Sequence, residues 1–250
     1  MITIFSFQLD WLDLLAISGV AVLVGMSKTG VHGAGMMAVP MLASVFGGQA
    51  SSGLLLPALC LADIIGVWYY HRHASWYHLR RLLPWAAAGT VAGTIVGGMI
   101  DDDLFKMIMG SVIIASIVLM IWLERGHKGD IPDNLWFSSV MGIIAGFTSM
   151  VGNLAGSITA VYFLSMRLPK NSFIGTTAWF FLIINLFKVP FHVFGWHTIT
   201  LNSFSLNLAM LPAIAVGAVI GIWIVKKLEE KTYRWFIISM TLLAAIMMLF

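Results

Sequence analysis

The sequence predicts an all-α integral membrane protein built from two inverted-topology repeats of five hydrophobic segments. Each repeat contains a broken or re-entrant Gly-rich helix. Three observations carry this expectation: apolar runs from end to end, two segments too short to cross a bilayer at matching places in the two halves, and a strong bias of Lys and Arg toward alternate loops.

Hydrophobic residues make up 60% of the 250 and charged residues 10%, where a soluble domain carries about 25% charged residues. Mean hydropathy is +0.94. Only helices or closed barrels satisfy backbone polar groups in lipid. Barrel strands alternate apolar and polar residues, whereas these segments are apolar all round, so helices are expected. The net charge of +3 sits in short loops without a basic aromatic patch, and no nucleic-acid partner is expected.

The N-terminal stretch "MITIFSFQLDWLDLL" lacks the positive n-region and small-residue cleavage site of a signal peptide. It reads as the lead into a retained first helix. Hydrophobic segments then follow at 10–26, 34–47, 53–70, 82–100, 104–124, 135–150, 154–165, 173–194, 205–225 and 233–250. A straight crossing needs about 20 residues. Segments 34–47 and 154–165 reach only about 18–21 Å at ~1.5 Å per residue, and both follow a Gly-containing break. The lone Cys60 cannot form an intramolecular disulfide and reads as a small packing residue in mid-helix.

"VGMSKTGVHGAGMMAV" (24–39) set against "AGFTSMVGNLAGSITA" (145–160) aligns Gly25 with Gly146 and Ala34-Gly35 with Ala155-Gly156. Further along, Asp63 falls opposite Asn185, and "VAGTIVG" (91–97) opposite "AVGAVIG" (215–221). The expected organisation is therefore one membrane transport domain, 1–250. The first repeat covers 1–124, the polar linker "RGHKGDIPDN" 125–134, and the second repeat 135–250.

With the N-terminus outside, the inward loops hold Arg72, Arg80, Arg81, Arg125, Lys128, Arg167, Lys170, Lys226, Lys227, Lys231 and Arg234, and the outward side Lys106 alone beside "DDD" (101–103). Eleven against one is a clear positive-inside bias. It places the linker in the cytoplasm and both termini outside. An odd number of segments per half inverts the second repeat relative to the first, the architecture of secondary transporters.

Several glycines close together let a helix unwind, and unwound backbone at membrane depth is tolerated only inside protein or beside a water-filled cavity. A helix restarting near Gly35 aims free N–H groups and its positive dipole end into that cavity, which suits an anion. Lys28 adds a full charge beside Gly30, His32, Gly33 and Gly35. The second break, "SMVGNLAGS" (149–157), offers Gly152, Asn153 and Ser157. Close packing is the competing role for such glycines, and Gly89, Gly93 and Gly97, four residues apart, are expected to serve it. Lys28 snorkelling to the interface and a structural His32 are the plain alternatives.

"TGVHGAGMMAVPML" (29–42), its weaker copy within 145–160, and "FIGTTAWFFLIINLFKV" (173–189) resemble the TauE/SafE family of sulfite and organosulfonate exporters. The resemblance spans essentially the whole chain. It implies a multipass transporter of small sulfur-containing anions such as sulfite, thiosulfate or sulfoacetate, with the Gly-rich segments lining the route. Gly30, Gly33, Gly35 and Pro40 match the family pattern. Ala34 breaks the usual glycine run, His32 intrudes, and Val161 stands where a second proline is expected.

Two further charges lie within spans: Asp63 in "LCLADIIGVWYY" and Lys188 in "LIINLFKVPFH". Each costs about 2.5–3.5 kcal/mol at a helix centre and should face the protein interior. Lys188 lies one turn beyond Asn185 on the same face. Asp63 can either bridge to Lys188 or Lys28 structurally, or carry a coupling proton while a lysine receives the anion. His71, Arg72, His73 and His78 are expected together in an inward loop as interface anchors, without metal-ligand spacing. Trp11, Trp68, Trp76, Trp136, Trp196 and Trp235 fit interfacial belts, while Trp179 and Trp223 are candidates to wall a cavity.

No phosphate-binding loop is present, so an ion or substrate gradient is the expected driving force, with a coupling proton as one option. No cofactor is expected, the lipid bilayer is the obligatory partner, and a homo-oligomer stays open. A passive anion channel shares the helix-terminus logic and is the nearest rival. An intramembrane enzyme would need converging nucleophile and base, and Ser27 with His32 is only an isolated pair.

Overall fold

The computed structural model describes residues 2–4, 7–32, 34–35, 37–38, 41–42, 48–99 and 133–249, with positions 104, 107, 111, 114, 115 and 118. Gly33, segment 43–47, most of 104–124 and most of the linker 125–134 lie outside the described residues.

An antiparallel pair, β1 (Ile2–Ile4) and β2 (Phe7–Leu9), comes first, in register Ile2 to Leu9 and Ile4 to Phe7. Nine helices follow among the described residues: α1 (Trp11–Lys28), α2 (Gly48–Tyr70), α3 (Trp76–Gly97), α4 (Leu135–Gly152), α5 (Ala155–Ser165), α6 (Lys170–Pro190), α7 (Leu201–Ala209), α8 (Leu211–Lys227) and α9 (Glu230–Leu249). Described positions 34–35, 37–38 and 41–42 are helical too. Four of these helices are long and apolar enough to cross a membrane, or five if the bent pair α7–α8 is one span. The molecule is a nearly all-helical membrane protein.

Local chemistry fixes the ends. Asp10 and Asp13 form a reciprocal capping box at the start of α1, each carboxylate accepting the other's backbone N–H at 2.9 Å. Lys28 stands in the last turn, where its charge complements the helix dipole. Asn134 caps α4 by accepting from Phe137 N–H at 2.8 Å. The segment expected as one helix over 205–225 is split at Met210, with α7 and α8 meeting at 50°. Pro212, in the first turn of α8, supplies the reason: it has no N–H to give and suits a helix start rather than an interior.

The most extensive helix contacts run between α3 and α4 and between α1 and α8, and both are made by glycine. A Cβ on Gly25 would strike the carbonyl of Ile214, and one on Gly217 the carbonyl of Val22. In the other pair, Gly146 meets the carbonyl of Ala86 and Gly89 that of Ile143. Each pair is also crossed by a hydroxyl, Thr29 donating to Ala218 O at 3.1 Å and Thr90 to Gly146 O at 3.3 Å. The glycines and the carbonyls they meet match when Gly89 is set against Gly217 and Gly93 against Gly221, whereas the two hydroxyls come from non-equivalent helices. That glycine register is one helical turn away from the alignment made on sequence. Gly97 packs against the Trp196 ring.

α5 is buried along nearly its whole length, as a short helix that is apolar all round should be. It is the 11-residue helix expected over 154–165. Its own Tyr162 and Phe163 share a core with Phe173, Phe180 and Tyr233, and these five are, with Lys188, the largest of the fully buried side chains. Trp11, Trp68, Trp136 and Trp223 are exposed on the outer surface. Trp223 lies under Lys227, whose Nζ is 3.5 Å from the ring centroid, and is exposed rather than turned into the interior. Trp179 is half-buried against Trp76.

Candidate functional site

Both breaks begin with a left-handed residue. Gly30 has φ +115°, and Val31 N–H returns to Met26 O at 3.0 Å, ending α1. Asn153 has φ 56°, its N–H bonds Ser149 O at 3.0 Å, and Leu154 N–H bonds Thr148 O at 3.2 Å. The first bond is the single closure of the αL motif, with Asn in the place glycine usually holds, and the second spans the break itself. Because α5 starts at Ala155, the carbonyl end of α4 and the amide end of α5 stand together.

One cavity joins the two breaks. Its wall consists of Ser27, Lys28, His32 and Gly35 from the first, Asn153 and Gly156 from the second, and Leu59 and Phe181 from the flanking helices.

Behind that wall lies an ion pair. Lys28 Nζ is 2.9 Å from Asp63 Oδ1 and 3.9 Å from the centroid of the Phe181 ring. Asn185 Nδ2 donates to Asp63 Oδ2 at 2.6 Å. The ammonium approaches Oδ1 off the hydrogen-bond direction, so this oxygen has no aligned donor among the described residues. Both side chains are almost wholly shielded, Asp63 at 0% exposure and Lys28 at 7%.

A second network surrounds Lys188. Its Nζ donates to Ser149 O at 2.9 Å, Ser149 Oγ at 3.1 Å and Asn153 Oδ1 at 2.6 Å. Asn153 Nδ2 in turn donates to Ser52 O and Oγ at 3.2 and 3.1 Å. All three acceptors of the ammonium are uncharged. In the first half, Gly66 allows the Lys28 carbonyl to approach its Cα, just as the Lys188 ammonium meets the Ser149 carbonyl.

The residues singled out by sequence thus fall into three groups. Lys28, His32, Gly35 and Asn153 line the cavity, while Asp63, Asn185 and Lys188 stand in contact behind its walls. Gly30, Gly152 and Ser157 shape the helix ends instead. Gly30 lies against Val225 and Ile174, Gly152 closes α4, and Ser157 Oγ bonds Leu154 O at 3.2 Å. Gly33 is outside the described residues.

The structure adds partners that were not singled out. Tyr233 donates to Gly30 O at 2.9 Å and stands 3.5 Å from His32 Nδ1, tying α9 to the first break. His192, in the π-helical turn Phe191–Gly195, pairs Nδ1 with Thr198 Oγ1 at 2.8 Å, and its buried Nε2 has no partner among the described residues. The sequence signal for His192 was its place one turn beyond Lys188. His78, expected in a loop, is instead buried in α3 with Nδ1 3.3 Å from Tyr162 OH. His71–His73 form an exposed 3₁₀ turn.

Several of the described cationic residues outside the core meet at one end. Ser75 N–H bonds Thr176 Oγ1 at 2.8 Å, bringing the 71–73 turn to the start of α6. Lys170 N–H bonds Glu230 Oε2 at 3.0 Å, and Lys170 Nζ caps α8 through Val225 O and Leu228 O. Arg81 pairs with Asp133 at 2.8 Å before α4.

Residues 16–248 match the family model described as sulfite exporter TauE/SafE, and the chain belongs to that family. No curated protein and no solved structure matches it.

Proposed function

We propose that the chain is a secondary transporter that carries a small sulfur-containing anion, sulfite, thiosulfate or an organosulfonate such as sulfoacetate, through the cavity between the two breaks. The observation that carries the proposal is that one cavity is lined from both breaks at once and has a lysine on its wall paired to a buried carboxylate. Membership of a sulfite exporter family supports the substrate class.

The two halves act as inverted repeats that rock about this cavity in alternating access. The matched glycine contacts of α1 with α8 and α3 with α4 support that relation. The clustering of basic residues at one end supports a cytoplasmic linker and outward termini in the cytoplasmic membrane. Asp63 is the coupling group: its Oδ1 can take a proton without displacing the Asn185 bond, and protonation releases Lys28 to the anion. Closure of Lys28, Asp63 and Lys188 from solvent favours a carrier over an open channel.

Flux in proteoliposomes of sulfite, thiosulfate, sulfoacetate and sulfate, each with and without a pH gradient, tests the proposal. Saturable, gradient-sensitive flux of a sulfur anion is expected, with Asp63→Asn losing the gradient response and keeping anion binding. Gradient-indifferent flux contradicts the role of Asp63, and absence of flux contradicts the substrate class.

A further inference from the structure

Resting on the transporter reading and narrowing its cargo, we propose that the central cavity selects a singly charged sulfur oxyanion, hydrogensulfite or a sulfonate without a second charge, over dianions such as thiosulfate and sulfoacetate. The geometry that points there is the balance of charge around the cavity.

Three side chains on or behind its walls are counted as charged from their contacts among the described residues: Lys28 and Asp63, whose Nζ and Oδ1 face each other at 2.9 Å, and Lys188, whose Nζ has an acceptor for each of the three N–H groups of an ammonium. Lys28 and Asp63 cancel at 2.9 Å. Lys188 has no carboxylate among its acceptors, since Ser149 O, Ser149 Oγ and Asn153 Oδ1 occupy its three N–H directions. His32, with Lys28 beside it and no carboxylate partner among the described residues, counts as a neutral imidazole. Helix ends add little. The carbonyl end of α4 meets the amide end of α5, and the carbonyl end of α1 meets the helical residues from Ala34, so their partial charges oppose one another.

The side chains around the cavity therefore sum to one positive charge. An uncompensated charge out of water is expensive, and a monoanion closes the balance. A dianion overshoots it and leaves one negative charge in the same low-dielectric space. The two lysines divide the labour. Lys28 lines the cavity and has N–H groups to offer the anion, whereas Lys188 is saturated and acts on it through its charge. Asn153 fixes that charge in place, because its carbonyl takes the ammonium and its amide is anchored on Ser52.

The test is equilibrium binding to the full chain in lipid nanodiscs, at one fixed pH, of methanesulfonate and thiosulfate. They share a trigonal SO₃ head and differ by a methyl group against a sulfide, hence by one charge. The wild type is expected to bind methanesulfonate at least about tenfold more tightly, since a like-charge excess in a desolvated site costs more than that factor. Asp63→Asn raises the site to two positive charges and is expected to turn the preference toward thiosulfate. Dehydration of the dianion alone would leave the ratio unchanged in the variant, so the reversal separates the two causes. If Asp63→Asn does not fold, Lys188→Gln gives the complementary reading, with weaker binding of methanesulfonate. Thiosulfate binding as tightly as methanesulfonate in the wild type overturns the proposal, as does an unchanged ratio or affinity in the folded variants. If sulfite is transported while that happens, only the charge selection falls. If neither probe nor sulfite binds, the transporter reading falls and takes the selection with it.

Discussion

Asn185 and Asp63 meet across the two halves of the chain, the amide donating to the carboxylate at 2.6 Å while Lys28 holds the other oxygen at 2.9 Å. Asp63 lies in α2 and Asn185 in α6, so the contact joins these two helices beside the cavity lined by both breaks. A carboxylate held this way is both a structural tie and the only buried acid among the described residues.

Removing one partner strands a buried charge. Lys28→Met or Asp63→Asn alone is expected to destabilise the protein by about 3–5 kcal/mol. The double variant should lose less than the sum, because no ion is left unpaired. Thermal unfolding in detergent, run as a double-mutant cycle, measures the coupling. Additive losses would mean that the pair contributes nothing.

Gly146→Ala drives a methyl group into the carbonyl of Ala86, and Gly217→Ala does the same to Val22. Each is expected to cost about 1–3 kcal/mol, as overpacking does. Gly19 in α1 has nothing within 4 Å of a Cβ, so Gly19→Ala should leave stability unchanged or raise it by up to about 1 kcal/mol. Parallel melting curves of the three variants decide this.

Lys188→Arg is not a conservative change. Three acceptors arranged around one ammonium do not suit a planar guanidinium. Transport is expected to fall in Lys188→Arg as it does in Lys188→Met, and initial flux in proteoliposomes would show it. Full activity in the arginine variant would contradict the tight shell.

Tyr233→Phe removes the donor to Gly30 O and leaves that carbonyl unpaired in the core, at a cost of about 1–3 kcal/mol. Gly30→Ala should cost at least as much, because φ +115° is open to glycine and strained for other residues. Both losses are measurable by thermal unfolding.

Much of this site was legible in the sequence because membrane burial restricts what each residue can do. Charges within apolar runs had to face inward, and Lys28, Asp63 and Lys188 do. The 11-residue α5 was visible as a segment too short to cross. The matching of Asp63 with Asn185 became a hydrogen bond. The glycine register was not legible, since Gly89, Gly93 and Gly97 recur every fourth residue and each fits the partner helix equally well until backbone contacts choose. The saturation of Lys188 was hidden because its acceptors, Ser149 and Asn153, lie in another element whose approach no local pattern encodes. His78 was misplaced because α3 begins before the apolar run does, at Trp76.

The most direct measurement of the account is counterflow of labelled sulfite into proteoliposomes preloaded with unlabelled sulfite. A carrier with one cavity exposed alternately to the two sides predicts a transient rise of internal label above its equilibrium level, lost in a flux-inactive Lys188→Met variant. A monotonic approach to equilibrium without overshoot would contradict alternating access and assign the cavity to a passive pore.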